Sequence, residues 1–105
     1  MAVIKEVTIN TGTMTFDTIS DLDSFVAGIS ALKRSVDVIT SARRAGTITN
    51  LDSAQISPST FYSRTVYPDQ AAYDSVNAGV DVSGATIAFE QLGWTINRTI
   101  SYTYD

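Results

Sequence analysis

Residues 94–105, WTINRTISYTYD, alternate strictly between two kinds of side chain. The first set is apolar or aromatic apart from one arginine: Trp94, Ile96, Arg98, Ile100, Tyr102 and Tyr104. The second set carries hydroxyl and amide groups: Thr95, Asn97, Thr99, Ser101 and Thr103. Because successive side chains of a β-strand leave opposite faces of the sheet, the alternation predicts a half-buried strand. The fold must therefore contain a sheet with one covered face and one polar face.

The beginning of the chain predicts another strand of the same kind. Val3 to Asn10 alternates, and Lys5 stands among its apolar residues as Arg98 does in the last strand. Asn10 to Gly12 is a turn signal, and the TMTF stretch at 13–16 is predicted to return as a short strand.

A helix is predicted next, because five apolar residues follow the spacing of one helical stripe. Lys33 and Arg34 follow the stripe, where positive charge suits the carboxyl end of a helix. Asp17, Asp21 and Asp23 precede or open it, where carboxylates cap free amides, and they lack the spacing of a calcium loop. The stripe consists of Leu22, Phe25, Val26, Ile29 and Leu32.

The middle of the chain is rich in β-branched residues. Ser35 to Arg44 is predicted as a strand for that reason, and the TIT stretch at 47–49 as the start of its partner. The polar segment 50–59 contains a proline and is predicted as a loop. Thr60 to Tyr67 alternates again and is predicted as a strand.

A second helix is predicted after Pro68. Asp69 is its cap and Gly79 its end. The segment 80–93 fits both a helix and a strand, and the spacing of its apolar residues favours a helix ended by Gly93.

The predicted order is strand, helix, strand, strand, helix, strand. This is the split βαβ pattern of a ferredoxin-like α+β sandwich, a four-stranded antiparallel sheet with two helices on one face. A length of 105 residues is typical of one domain, so we expect residues 1–105 to form a single domain.

The residue types that are absent narrow the chemistry. The chain has no cysteine and no histidine, so it lacks the commonest general base and the usual transition-metal ligands. We therefore expect no metal site and no cofactor. A net charge of −4 argues against nucleic acid and anionic membranes as partners. No apolar run is long enough to span a membrane, and we expect a soluble, cytoplasmic protein.

The stretch TFYSRTVYPDQAAYDSV, residues 60–76, resembles the passage from a strand to the second helix in dimeric α+β-barrel proteins of the antibiotic-biosynthesis-monooxygenase-like group. The resemblance covers about a sixth of the chain and implies a ferredoxin-like fold and a dimer. Those monooxygenases often place Asn, Trp and His around a pocket; Asn97 and Trp94 are present here and His is not. The small, hydroxyl-rich, cysteine-free chain also suggests a phage source.

The cations and aromatic residues of the predicted sheet define a candidate ligand site. In the ferredoxin-like order the first strand lies between the third and the last, so Lys5, Arg64 and Arg98 come to adjacent strands. Either their long stems cover apolar neighbours while the charged heads reach water, or they border a pocket for a small anionic or aromatic ligand. The candidate ligand-binding residues are Lys5, Tyr62, Arg64, Trp94, Arg98 and Tyr102.

The hydroxyl face of the last strand is a candidate interface. It consists of Thr95, Asn97, Thr99, Ser101 and Thr103, and it suits either a wet surface or a second sheet packed against it. Without His, Cys or paired carboxylates, the sequence favours a non-catalytic binding or structural-accessory module that forms a homo-oligomer through its sheet. The alternative is a cofactor-independent monooxygenase-like enzyme acting on a small hydrophobic or aromatic substrate.

Overall fold

The computed structural model describes residues 1–80 and 82–99, and of residues 82–84, 86 and 97–99 it describes the backbone only. The elements in chain order are β1 (Val3–Asn10), α1 (Ile19–Ala27), α2 (Ser30–Ala45), β2 (Asn50–Ser57), β3 (Thr60–Tyr67), α3 (Gln70–Gly79), α4 (Val82–Gln91) and β4 (Thr95–Thr99). The last residues of the strand predicted over 94–105 lie outside the described part of the chain.

The four strands form one antiparallel sheet in the order β2-β3-β1-β4. The central pair is β1 and β3, with Val3 opposite Tyr67 and Ile9 opposite Phe61. This order confirms the ferredoxin-like prediction, including the place of the first strand between the third and the last.

The strand predicted over Ser35 to Arg44 is wrong, because these residues belong to helix α2. The many β-branched residues obscured the apolar spacing of a helix, in which Leu32, Ser35 and Ala42 are buried. The hydroxyl of Thr40 donates to the carbonyl of Val36 at 2.9 Å, the local bond that a threonine forms in a helix. Burial of one face therefore outweighed the modest β-propensity of these residues.

The loop predicted over 50–59 is also wrong, because Asn50–Ser57 form β2 and pair with β3. Much of β2 is exposed, since the strand lies at the sheet edge, and a bulge interrupts its pairing between Gln55 and Ser57. An exposed edge strand shows little apolar alternation, so its sequence pattern is similar to that of a loop.

The first predicted helix is divided into two helices in the structure. The helix predicted through Leu32 breaks at Gly28 and Ile29, where the backbone of Ile29 is extended. Thr18 rather than an aspartate caps α1, accepting from the amide of Asp21 at 3.2 Å. The cap at Asp69 is confirmed, because its carboxylate accepts from the amide of Ala72 at 2.8 Å. The helix favoured within 80–93 is confirmed as α4.

No strand forms at residues 13–16, which instead cross the end of the sheet. The amide of Phe16 donates to the carbonyl of Pro58, and the side chain of Gln55 donates to the carbonyl of Phe16 at 2.7 Å. Thr11 is buried, and its hydroxyl donates to the carbonyl of Met14 at 2.6 Å. These bonds direct Met14 and Phe16 into the core.

Among the described residues, the core is divided into two clusters. One is built on Val3, Ala42, Ile48, Tyr67 and Val76, and the other on Leu22, Phe61 and Trp94. Each cluster lies at one end of β1 and β3, where helices cover the sheet. Among the described residues, no helix is long and apolar enough to cross a membrane.

Candidate functional site

The helix-facing surface of the sheet is apolar at its two ends and less so in the middle. Val3 and Tyr67 are paired at one end, and Ile9 and Phe61 at the other, and each pair joins a different core cluster. Because side chains two residues apart share a face, the positions between them also face the helices. One of these middle rows consists of Val7, Ser63 and Ser53 on β1, β3 and β2.

A cavity of about 560 Å³ lies above this serine row, between the sheet and helices α1 and α2. Its volume is in the range of small-molecule sites. The apolar residues that line it come from the sheet and from α1, α2 and α4. They are Val7, Ile9, Ile19, Leu22, Val26, Ala27, Val36, Ile39, Leu51, Phe61 and Phe89. The small serine side chains leave the space that larger apolar residues would fill.

A few polar groups are placed among these apolar walls. Ser53 and Ser63 lie on the sheet side, Asp23 on α1, and Thr40 and Arg43 on α2. Partial burial raises the pKa of the Asp23 carboxyl above its ordinary value. A site with apolar walls and a small number of polar groups is suited to an organic molecule that is mostly apolar.

A second groove, of about 680 Å³, runs along the outside of α2 and α3. It is open and shallow, and Lys33, Arg34 and Asp37 border it. We place the candidate site in the smaller cavity, because enclosure by sheet and helices buries more of a ligand than an open groove does. Among the described residues, no group of acidic side chains is placed to hold a metal ion.

Trp94 lies behind the cavity instead of lining it. It is 3% exposed and stacks on Phe89 with ring centres 5.2 Å apart and planes 9° apart. Phe16 meets its edge, and Phe25 lies 5.7 Å from its ring centre. Its indole Nε1 donates to Met14 Sδ at 3.2 Å. Trp94 therefore supports Phe89, which does line the cavity.

Tyr62 and Arg64 belong to the opposite face of the sheet. Arg64 pairs in register with Glu6 on β1 and with Asp52 on β2, so a cation lies between two carboxylates across three strands. Desolvation raises the pKa of the Tyr62 phenol, and a hydrogen bond to Glu6 and the charge of Glu6 raise it further, while Arg64 lowers it. Tyr62 nevertheless borders the cavity, because its neighbours Phe61 and Ser63 on β3 line it. These two residues belong with the outer face.

The remaining ligand-site candidates are divided between the helix-facing surface and the part of the chain not described. Lys5 pairs with Thr65 on the helix-facing side, in the same row as Leu51, which lines the cavity, but Lys5 itself does not line it. The position of Arg98 pairs with Val7, two residues from Lys5 and on the same face of the sheet. Tyr102 lies outside the described residues. The six candidates are thus not brought together in one pocket.

The interface candidates follow the outer face where their strand is described. Thr95 pairs with Asn10, the position of Asn97 with Thr8, and that of Thr99 with Glu6. These are the outer positions of β1, on the same face as Arg64. Ser101 and Thr103 lie outside the described residues.

Comparison with known proteins supports the fold. No protein-family model and no curated protein matches the sequence. The structure is similar to that of a variant of SnoaB, a cofactor-independent oxygenase from Streptomyces nogalater, with a TM-score of 0.60 and 10% identity over 99% of this chain and 92% of that one. At this identity the similarity shows a shared fold.

A second similarity is weaker. A hydantoinase/carbamoylase family amidase from Burkholderia ambifaria matches with a TM-score of 0.44 and 13% identity, over 98% of this chain and 28% of the amidase. A score at that level carries no argument about function.

The sequence did not reveal the cavity, because its walls depend on α2 and β2, which were predicted as a strand and a loop. A signal was present in the Phe61, Ser63, Thr65, Tyr67 face of β3. Two small hydroxyl residues between two large aromatic residues on a covered face indicate missing volume.

The contact between Trp94 and Met14 gives a testable prediction. We expect Met14→Leu to lower the free energy of unfolding by about 1 kcal/mol, because the buried indole N–H then lacks its acceptor. In a Trp94→Phe background the same change should cost clearly less, since no N–H is left unpaired. Urea unfolding of the four proteins measures the coupling. An equal cost in both backgrounds contradicts the role of the sulfur as an acceptor.

Proposed function

We propose that the protein is a binding module that holds a small, mostly apolar molecule in the cavity between the sheet and helices α1 and α2. The cavity itself carries the proposal, because apolar residues from the sheet and from helices α1, α2 and α4 surround it. Burial of apolar ligand surface contributes about 25 cal/mol per Å², so a ligand of this kind binds without a charged partner. That residues 1–105 form one domain, that the protein is cytoplasmic and that it comes from a phage remain predictions.

A substitution that fills the cavity tests this role. We expect Ser63→Leu to weaken binding of the neutral dye Nile red at least about tenfold, because the larger side chain takes the volume above the serine row. Thr65→Leu is the matched control: it has the same strand and face but does not line the cavity. Fluorescence titration measures affinity, and thermal unfolding confirms that both variants are folded. Equal affinity in wild type and Ser63→Leu contradicts binding in this cavity.

We also propose that two copies of the chain associate through the outer faces of their sheets. The support is the hydroxyl and amide pattern of Thr95, Asn97, Thr99, Ser101 and Thr103, together with the register that places the first three beside outer positions of β1. In a symmetric pair the same face meets itself, so a lysine added at its centre leaves an unpaired, desolvated charge in each copy.

Light scattering tests the association. We expect a dimer for the wild type and a monomer for Thr8→Lys at the same concentration, because Thr8 pairs with Tyr62 and Asn97 on the outer face. Thr13→Lys, in an exposed loop, is the control and should stay dimeric. A wild-type protein that is monomeric throughout contradicts the proposal.

A second candidate function is cofactor-independent oxygenation, favoured by the similarity to the SnoaB structure along nearly the whole of both chains. In such a reaction an activated methylene of the substrate loses two hydrogens, one atom of dioxygen becomes a carbonyl oxygen, and the other leaves with both hydrogens as water. The substrate supplies all the electrons. The protein has to accept a substrate proton, and among the described residues Asp23 is the carboxyl group that lines the cavity.

Oxygen uptake with aromatic compounds that carry an activated methylene tests this function. A carboxylate accepts a proton only when ionised, so we expect the rate to rise as pH passes upward through the raised pKa of Asp23. Asp23→Asn should abolish that rise and lower the rate about 100-fold or more. Asp21→Asn, on the same helix but outside the cavity, is the control. No uptake above the protein-free rate leaves the binding module as the function.

A further inference from the structure

Two serines occupy positions where the covered face of a sheet normally carries apolar residues. Ser53 and Ser63 are directly opposite each other on β2 and β3, and Val7 flanks Ser63 on β1. All three line the cavity. The next row toward one end contains Ile9 and Phe61, and the row toward the other end contains Lys5, Thr65 and Leu51, of which Leu51 lines the cavity. Within the lining of the cavity, the serine pair therefore lies between apolar residues of the sheet.

The two hydroxyls are available to a ligand. Neither hydroxyl has a hydrogen-bond partner among the described residues, and Ser63 is half-buried while Ser53 is exposed on the edge strand. A hydroxyl group that loses water without gaining a partner costs free energy, so a purely apolar ligand over the pair is penalised. A ligand with a polar atom at this point avoids the penalty.

The spacing of the pair fits one oxygen atom of a ligand. Residues directly opposite on neighbouring antiparallel strands have Cβ atoms about 4.5–5.5 Å apart. Each serine hydroxyl is both a donor and an acceptor and rotates to suit its partner. A carbonyl oxygen accepts from both hydroxyls, and a phenol accepts from one while donating to the other.

We propose that Ser53 and Ser63 form the specificity-determining pair of the cavity and select ligands whose apolar body ends in a phenol or carbonyl oxygen against the sheet. The two hydroxyls are uncharged and bind neutral oxygen groups without a counter-ion, whereas the charged groups of the cavity, Asp23 and Arg43, lie on helices α1 and α2. This inference rests on the proposed binding function and adds the class of ligand to it.

Two ligands of matched shape test the pair. Beta-naphthol and beta-methylnaphthalene differ by a hydroxyl in place of a methyl group, and displacement of Nile red measures the affinity of each. We expect the wild type to prefer the naphthol. Ser53→Ala with Ser63→Ala should weaken naphthol binding about 5- to 30-fold and leave methylnaphthalene within about twofold. Thr65→Val, on the same face outside the cavity, should change neither.

The outcomes separate this inference from the function on which it rests. If the wild type binds both compounds and the double alanine variant weakens both equally, the serines are structural and the inference is wrong. An unchanged naphthol affinity in the double variant overturns it as well. If the wild type binds neither compound nor Nile red, the binding function is wrong and the inference falls with it. The single variants Ser53→Ala and Ser63→Ala keep the test valid should the double variant fail to fold.

Discussion

The structure depends on how side-chain volume is distributed over the helix-facing surface of the sheet. Large apolar residues at both ends of β1 and β3 pack against helices and form two separate clusters. The serine row between them supplies too little volume to join the clusters into one core. The helices therefore span a gap, and the gap is the cavity. The same feature that divides the core creates the candidate site and provides its polar groups.

The aromatic cluster makes this arrangement rigid on one side. Trp94 fixes Phe89, Phe25 and Phe16 around it, and its N–H is bonded to Met14. Aromatic contacts of this kind add stability beyond burial alone, so Phe89 is held in place as a wall of the cavity. The loop 13–16, tied to the β2–β3 turn through Phe16 and Gln55, completes the cluster.

The two candidate functions share this cavity and differ in what they ask of it. Binding needs apolar surface, which lines the cavity. Oxygenation needs in addition a group that accepts a proton, and Asp23 is placed at the cavity with its pKa raised by partial burial. The outer face of the sheet takes part in neither function. Its charged group, Arg64 between Glu6 and Asp52, lies on the side of the sheet away from the helices.

The fold class followed from the sequence because alternation in Val3–Asn10, Thr60–Tyr67 and the last strand is a local property of each segment. The predicted order of strands in the sheet was right, although the second strand was assigned to residues 35–44 instead of Asn50–Ser57 and each crossover between strands contains two helices instead of one. Residues such as Val36 and Ile39 accept either conformation, and the burial of one face of α2 favoured the helix. Sequence alone also grouped Lys5, Tyr62, Arg64 and Trp94, which the strand register and the aromatic core separate. Sequence thus determined which faces are apolar, and tertiary structure decided which faces meet, because register and packing join residues that are distant in the chain.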